Sequence, residues 1–191
     1  MHEPHELHWK ATKRIVHYVQ DTREFEIHYS TSGQLDLIGF NNLDWDGDSI
    51  DRKYTSIFVF MLGSGPIYWS SKKQVALALS SAEAKYRGFV NATIQEFWLH
   101  AILREFSIHT SPSIDISYDN QSEIKIYSDP LQKQRTKHIE VHMHYIRELV
   151  HNRTITLHYF PTEEHIPNIF TKYFTKKIFF YLKSLLSVKA D

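Results

Sequence analysis

The chain has 191 residues, of which 42% are hydrophobic and 14% aromatic, enough for one domain with a sizeable core and a small appendage. Its 22 Lys and Arg balance its 22 Asp and Glu, so net charge gives no sign of a nucleic-acid partner and any basic surface must be local. The absence of cysteine excludes disulfides, zinc–thiolate sites and a thiol nucleophile.

Met1-His2-Glu3-Pro4-His5-Glu6 lacks the apolar segment of a signal peptide, and no run of about 18 apolar residues follows. An intracellular setting is therefore expected. Residues 8–20 carry Trp9, Ile15, Val16, Tyr18 and Val19 with Lys10, Lys13 and Arg14 between them, which predicts a short helix with one apolar side. A brief strand is expected over 25–29, then a turn at Thr31-Ser32-Gly33. Residues 35–42 read as a strand with apolar side chains on both faces (Leu35, Leu37, Ile38, Phe40), as in the middle of a sheet. A second, almost wholly apolar strand covers 54–62. Gly63-Ser64-Gly65-Pro66 turns it into a third over 67–70, giving a hairpin. Lys72-Lys73-Gln74 separates this hairpin from Val75-Ala76-Leu77-Ala78-Leu79, whose alternation also reads as a strand.

Ser80 or Ser81 is a good cap for a long helix ending near Phe106. Its apolar side is built from Tyr86, Phe89, Val90, Phe97, Trp98, Ala101 and Ile102. Residues 114–118 alternate as a strand. Residues 119–122 open a helix through Tyr127, broken at Asp129-Pro130. A helix over 139–150, a strand over 154–160 ended by Pro161, and short helices over 163–172 and 178–186 complete the chain. Adjacent strands followed by strands interleaved with helices predict an α/β domain with a mixed sheet between helices.

Acidic or amide side chains stand at four matching places in this order. Asn42 closes the first long strand and Glu83 opens the long helix. Asp119 closes the strand after that helix, and Asn168 lies in the short helix after the last strand. Oxygen donors at strand ends and helix starts around one sheet suit Mg²⁺, which takes octahedral oxygen ligands at about 2.0–2.1 Å. Two such ions can activate a water and stabilise the leaving oxygen of an in-line displacement. Plainer readings stand beside this one. Glu83 suits the positive end of a helix as a capping charge. Asp119 suits a helix N-cap. Trp69, Trp98 and the run over 54–62 suit a core better than a base-stacking platform. His138, His142 and His144 lie near one another, in a chain with 13 histidines.

The stretches that carry a resemblance are residues 39–48, Asp51-Arg52-Lys53, Trp69-Ser70-Ser71-Lys72-Lys73-Gln74, Ser80-Ser81-Ala82-Glu83-Ala84-Lys85-Tyr86-Arg87, Asp119-Asn120-Gln121-Ser122, Arg135-Thr136-Lys137-His138-Ile139, Ile146-Arg147-Glu148 and Ile169-Phe170-Thr171-Lys172. In this order they resemble the ribonuclease H domain of copia-type LTR retrotransposon Pol polyproteins, as found in plants. The resemblance implies an RNase H-like fold over 34–174, with a mixed sheet of about five strands flanked by helices. Residues 1–33 resemble the linker that follows reverse transcriptase in those polyproteins, and 175–191 form a C-terminal helix and tail. The implied activity is cleavage of the RNA strand of an RNA–DNA hybrid by two Mg²⁺ (or Mn²⁺) ions. Glu83 and Asp119 match two of the four metal-binding acids. His138 matches a mobile histidine that assists product release. Lys72, Lys73, Asn120, Gln121, Arg135 and Lys137 are expected along the nucleic acid, because basic side chains supply most backbone affinity.

Two of the four acids are replaced. The family's Ser-Asp-Ala-Asp-Trp reads Asn41-Asn42-Leu43-Asp44-Trp45, and its Ala-Asp-Ile reads Pro167-Asn168-Ile169. Lys85 also replaces a second Glu. A unit charge pair interacts by roughly 4 kcal/mol at about 4 Å and an effective dielectric of about 20. Losing two carboxylates beside a divalent ion therefore removes several kcal/mol of gross attraction. Asp44 is a possible substitute ligand, on the same face as Asn42 if the strand continues but roughly 6–7 Å further along. The expectation is an RNase H-like domain with impaired catalysis. The alternatives are a nucleic-acid-binding module with a dead site, or a retroelement remnant acting through protein contacts.

Overall fold

The computed structural model describes residues 4–31, 34–44, 53–75, 77–78, 80–108, 110–111, 113–118, 121–128, 137–161 and 164–190. The element order is α1 (Glu6–Asp21), β1 (Phe25–Ile27), β2 (Leu37–Asp44), β3 (Thr55–Leu62), β4 (Gly65–Lys73), α2 (Ser81–Glu105), β5 (Ile114–Tyr118), α3 (Gln121–Ser128), α4 (Lys137–His151), β6 (Ile155–Tyr159), a 3-10 helix (Ile166–Phe170), α5 (Lys176–Leu185) and β7 (Val188–Ala190). Five strands form one mixed sheet in the order β4-β3-β2-β5-β6. β2 pairs antiparallel with β3 and parallel with β5, so it is the central strand that its two-sided apolarity predicts.

Alternation along β2 and β3 divides the core between two faces. Leu37, Phe58 and Phe60 pack under α2 against Ala92, Leu99 and Leu103. Phe40, Val59 and Met61 face the other way, against Ile166 and Leu186. A third cluster joins Ile114, Ile116 and Tyr118 of β5 to Phe89 of α2, Tyr127 of α3 and Ile146 of α4. β1 pairs with β7, so the expected leading segment and the expected tail share a two-stranded sheet.

Four sequence expectations are corrected. No strand forms over the described part of 75–79. The β3–β4 ladder ends at Thr55 and Lys73, and Gln74 then turns its side chain inward to Ser56 Oγ (2.9 Å) and the Ala84 carbonyl (2.8 Å). Val75 and Leu77 are left exposed. Trp69 and Trp98 are about half exposed, at 51% and 53%, rather than core. Within the expected helix over 163–172 the described residues form no α-helix but a 3-10 helix over Ile166–Phe170, with Pro167 in its first turn. The turn of the hairpin is Gly63-Ser64 alone, with Gly63 at φ +57°, and β4 already starts at Gly65. Pro66 is tolerated because β4 is an edge strand and the register shifts beside it.

α2 approaches β2 closely enough that Gly39 is required. A Cβ there would stand 2.8 Å from Glu96 Oε2 and 2.9 Å from Phe60 Cε1. Glu96 is wholly buried, and among the described residues neither of its oxygens has a hydrogen-bond partner. Burial, reinforced by the charge of Asp115 on β5, holds its carboxyl well above the usual carboxylate range. The folded state therefore holds this proton more tightly than the unfolded chain. That stabilising contribution is fully present below about pH 4.3, the unfolded value, and is lost as pH rises through the raised folded-state value. Glu96→Gln keeps the shape without titrating, so its melting temperature minus that of the wild type should grow as pH is raised. Asp115 and His100, the titratable neighbours on β5 and one turn along α2, are unchanged in that comparison. Gly39→Ala should cost about 1–3 kcal/mol by overpacking, read as a lower urea midpoint.

Candidate functional site

The C-terminal ends of β2 and β5 lie at the same end of the sheet because the two strands are parallel. α2 starts at that end too, since Gly88 in its second turn lies beside Leu43 near the end of β2. Ser80 caps α2 by accepting a hydrogen bond from the Glu83 N–H at 3.1 Å, as the Ser-Ser-Ala-Glu pattern predicts.

Asn42 and Asn168 are brought into direct contact. Asn42 lies near the end of β2, on the face away from α2, and is 8% exposed. Its Oδ1 accepts the Leu43 N–H at 2.7 Å. A backbone N–H can only donate, so this contact fixes which end of the amide is oxygen. The Nδ2 end therefore faces Asn168 and donates to its Oδ1 at 2.7 Å. Asn168 is wholly buried in the 3-10 helix. Its backbone is held by the His165 carbonyl at 3.0 Å, and its own carbonyl accepts from Lys172 at 3.0 Å. The His165 Nε2 lies 3.4 Å from the Ser117 carbonyl on β5, to which it donates, and its ring meets Phe40 edge-on.

Glu83 is largely buried and forms an ion pair with Arg87 one turn further along α2, at 2.6 Å. Arg87 is a site residue that sequence reasoning passed over, although the i,i+4 spacing made it legible. His165 left no comparable signal. Lys72 and Lys73 sit exposed at the end of the edge strand β4, and Gln121 is exposed at the start of α3. Asp119, Asn120 and Arg135 lie outside the described residues, as do the side chains of Asp44, Lys137, His138 and His142. β5 is described as far as Tyr118, whose hydroxyl accepts from Asn41 Nδ2 at 2.8 Å.

A divalent cation needs converging oxygen donors with negative charge. Among the described residues no group of three or more His, Asp or Glu is so arranged. Asn42 presents an N–H toward Asn168, the facing Oδ1 atom is occupied by that N–H, and the Glu83 carboxylate is neutralised by Arg87. The described donor set does not fit a two-metal centre. It fits a clasp between the central strand and the 3-10 helix.

No family model matches the chain. It is 33% identical over 172 residues to the retrovirus-related Pol polyprotein from transposon RE2 of Arabidopsis thaliana, covering 90% of this chain and 12% of that one. It is 31% identical over 188 residues to the corresponding polyprotein from transposon RE1 of the same plant, covering 98% and 13%. The chain thus spans only about an eighth of these relatives, at 12% and 13% of their lengths. It is also 38% identical over 97 residues to secreted RxLR effector protein 161 of Plasmopara viticola, covering 51% of this chain and 68% of that protein. Among solved structures it is similar to LC11-RNase H1 isolated from compost, with a TM-score of 0.52 and 12% identity over 69% of this chain and 89% of that one. At that identity the likeness shows the fold.

Asn168→Ala should leave the buried Asn42 amide without its acceptor and cost about 1–3 kcal/mol. The check is chemical denaturation, in which Leu43→Ala, a change beside the clasp that keeps both amides, serves as the comparison.

Proposed function

Given that this chain belongs to the RNase H-like domains of copia-type retrotransposon Pol polyproteins, we propose that it holds RNA–DNA hybrid on the sheet end described above while cleaving it poorly or not at all. The observation that carries this reading is the 2.7 Å amide–amide hydrogen bond between Asn42 and Asn168. It occupies two of the four positions where the resemblance expects metal-binding acids. Mg²⁺ or Mn²⁺ would supply water activation and charge neutralisation in a competent site. Here Asn42, Asn168 and the Arg87-paired Glu83 offer it little.

What remains is binding. Lys72 and Lys73 at the exposed end of β4, with Arg135 and Lys137 proposed alongside them, supply phosphate contacts that do not depend on a metal. Gln121 and Asn120 are proposed as polar contacts at the start of α3. Glu83, Asp119 and His138 are proposed as the surviving members of the ancestral site, with Asp44 as a substitute ligand. The reverse transcriptase of a larger polyprotein is the proposed neighbour. Among the described residues no helix is long and apolar enough to cross a membrane. A second reading, action through protein contacts, is favoured by α1, whose Leu7, Trp9, Ile15, Val16 and Val19 are all exposed.

The test is a labelled RNA–DNA hybrid, followed by anisotropy for binding and by gel for cleavage in Mg²⁺ or Mn²⁺. Binding that weakens steeply with salt is expected, with cleavage near background. Asn42→Asp combined with Asn168→Asp should raise cleavage at least about tenfold, equivalent to about 1.4 kcal/mol. Robust wild-type cleavage that Asp119→Asn abolishes, or no gain on restoring both acids, would refute the impaired site. No binding even at low salt would favour the second reading.

A further inference from the structure

Beside the candidate site, a groove of about 290 Å³ runs between the edge strand β4 and α2. Tyr68, Ser70 and Lys72 alternate along β4 and so share the face that borders it. From Tyr68 to Lys72 the strand spans about 14 Å, at about 3.4 Å per residue. The two ends differ in chemistry. At one end the Tyr68 ring stacks on Phe58 and Phe60, with ring centres 5.7 and 6.3 Å away, so the core locks its position. Trp98 of α2 leans on Tyr68 at 6.1 Å and stays about half exposed. At the other end stand Lys72 and Lys73.

The wall between them is neutral and mixed, with Ile94 and Val75 exposed beside hydrogen-bonding side chains. Asn91 and Gln95 lie one helical turn apart on α2. Gln74 at the lysine end is nine-tenths buried, and its Oε1 has no hydrogen-bond partner among the described residues. None of the described lining residues is acidic. Gln74 also bonds the Ala84 carbonyl in the first turn of α2, so the lysine end adjoins Glu83 and the aromatic end lies away from it.

We propose that this groove takes a single-stranded extension of the nucleic acid bound at the candidate site, with phosphates at Lys72 and Lys73 and a base on Trp98 and Tyr68. The inference rests on the nucleic-acid reading above and adds a ligand to it. Cations that track the backbone, and an aromatic shelf that accepts any base face, are the two parts of a sequence-tolerant single-strand site. A base stacked inside a duplex has no free face for such a shelf, so an unpaired strand is the fitting ligand.

The experiment compares anisotropy binding of a blunt RNA–DNA hybrid with the same hybrid carrying a short single-stranded DNA overhang. The overhang should tighten wild-type binding about tenfold per stacked base. Trp98→Ala should abolish that gain and leave blunt-hybrid binding unchanged, whereas Trp98→Phe should keep most of it. Trp69→Ala removes an equally exposed indole from the other face of β4 and should keep all of it. Thermal melts confirm that each variant folds. Blunt hybrid bound without an overhang gain, or a gain that survives Trp98→Ala, overturns the groove proposal and leaves the nucleic-acid reading standing. Failure to bind either hybrid overturns both.

Discussion

β2 is the strand that everything else must fit. It pairs on both edges and is covered on both faces, so its residues from Leu37 to Asn42 are committed to contacts. Leu37 and Gly39 face α2, whose Glu96 leaves no room for a Cβ at position 39. Phe40 faces Ile166 and Leu186. The strand stays apolar until its last turn of alternation, where Asn41 and Asn42 bring polar side chains into buried space. The amide N–H₂ of each then donates to a partner far away in the chain: Asn41 to Tyr118 and Asn42 to Asn168. The candidate site is the place where the central strand becomes polar without becoming exposed.

That position explains why two amides fit there without breaking the fold. Two carboxylates facing each other at hydrogen-bonding distance repel, and one must take up a proton or a cation must sit between them. Two amides at the same distance form a donor–acceptor pair and need neither. The Asn42–Asn168 pair thereby supplies a neutral crosslink from β2 to the 3-10 helix. Glu83 follows the same logic by a different route, since Arg87 one turn away neutralises it. The described part of the site is thus balanced without a metal. The same end of the sheet keeps exposed lysines on β4.

Much of this frame was legible in the sequence. Two-sided apolarity placed residues 35–42 at the centre of the sheet, and the Ser-Ser-Ala-Glu pattern located the start of α2. The amides at 42 and 168 could be read as departures from an acidic pattern. That they bond to each other could not, because they are 126 positions apart and periodicity carries no information at that range. Val75 to Leu79 alternates like a strand, but a strand also needs a free ladder, and β3 had none left beyond Lys73. Trp98 recurs at helical spacing with buried residues, yet sits at the margin of that stripe where α2 meets the edge strand. β7 has three residues and pairs only with distant β1, so nothing local announces it. Glu96 was readable in principle: it falls on the helical face of Phe89, Ala92, Leu99 and Leu103, where an acid is out of place.

On the proposed reading, the hydrogen-bonded Asn42–Asn168 pair stands where a divalent cation would bind in a competent site. Side-chain amide NMR of Asn42 and Asn168 during a Mn²⁺ titration tests it most directly, because a paramagnetic ion broadens nearby protons whether or not any reaction follows. The Asn42 amide protons are expected to stay sharp and protected from exchange at Mn²⁺ concentrations that saturate ordinary carboxylate sites. Selective loss of the Asn42 and Asn168 signals, reversed by chelation, would contradict it.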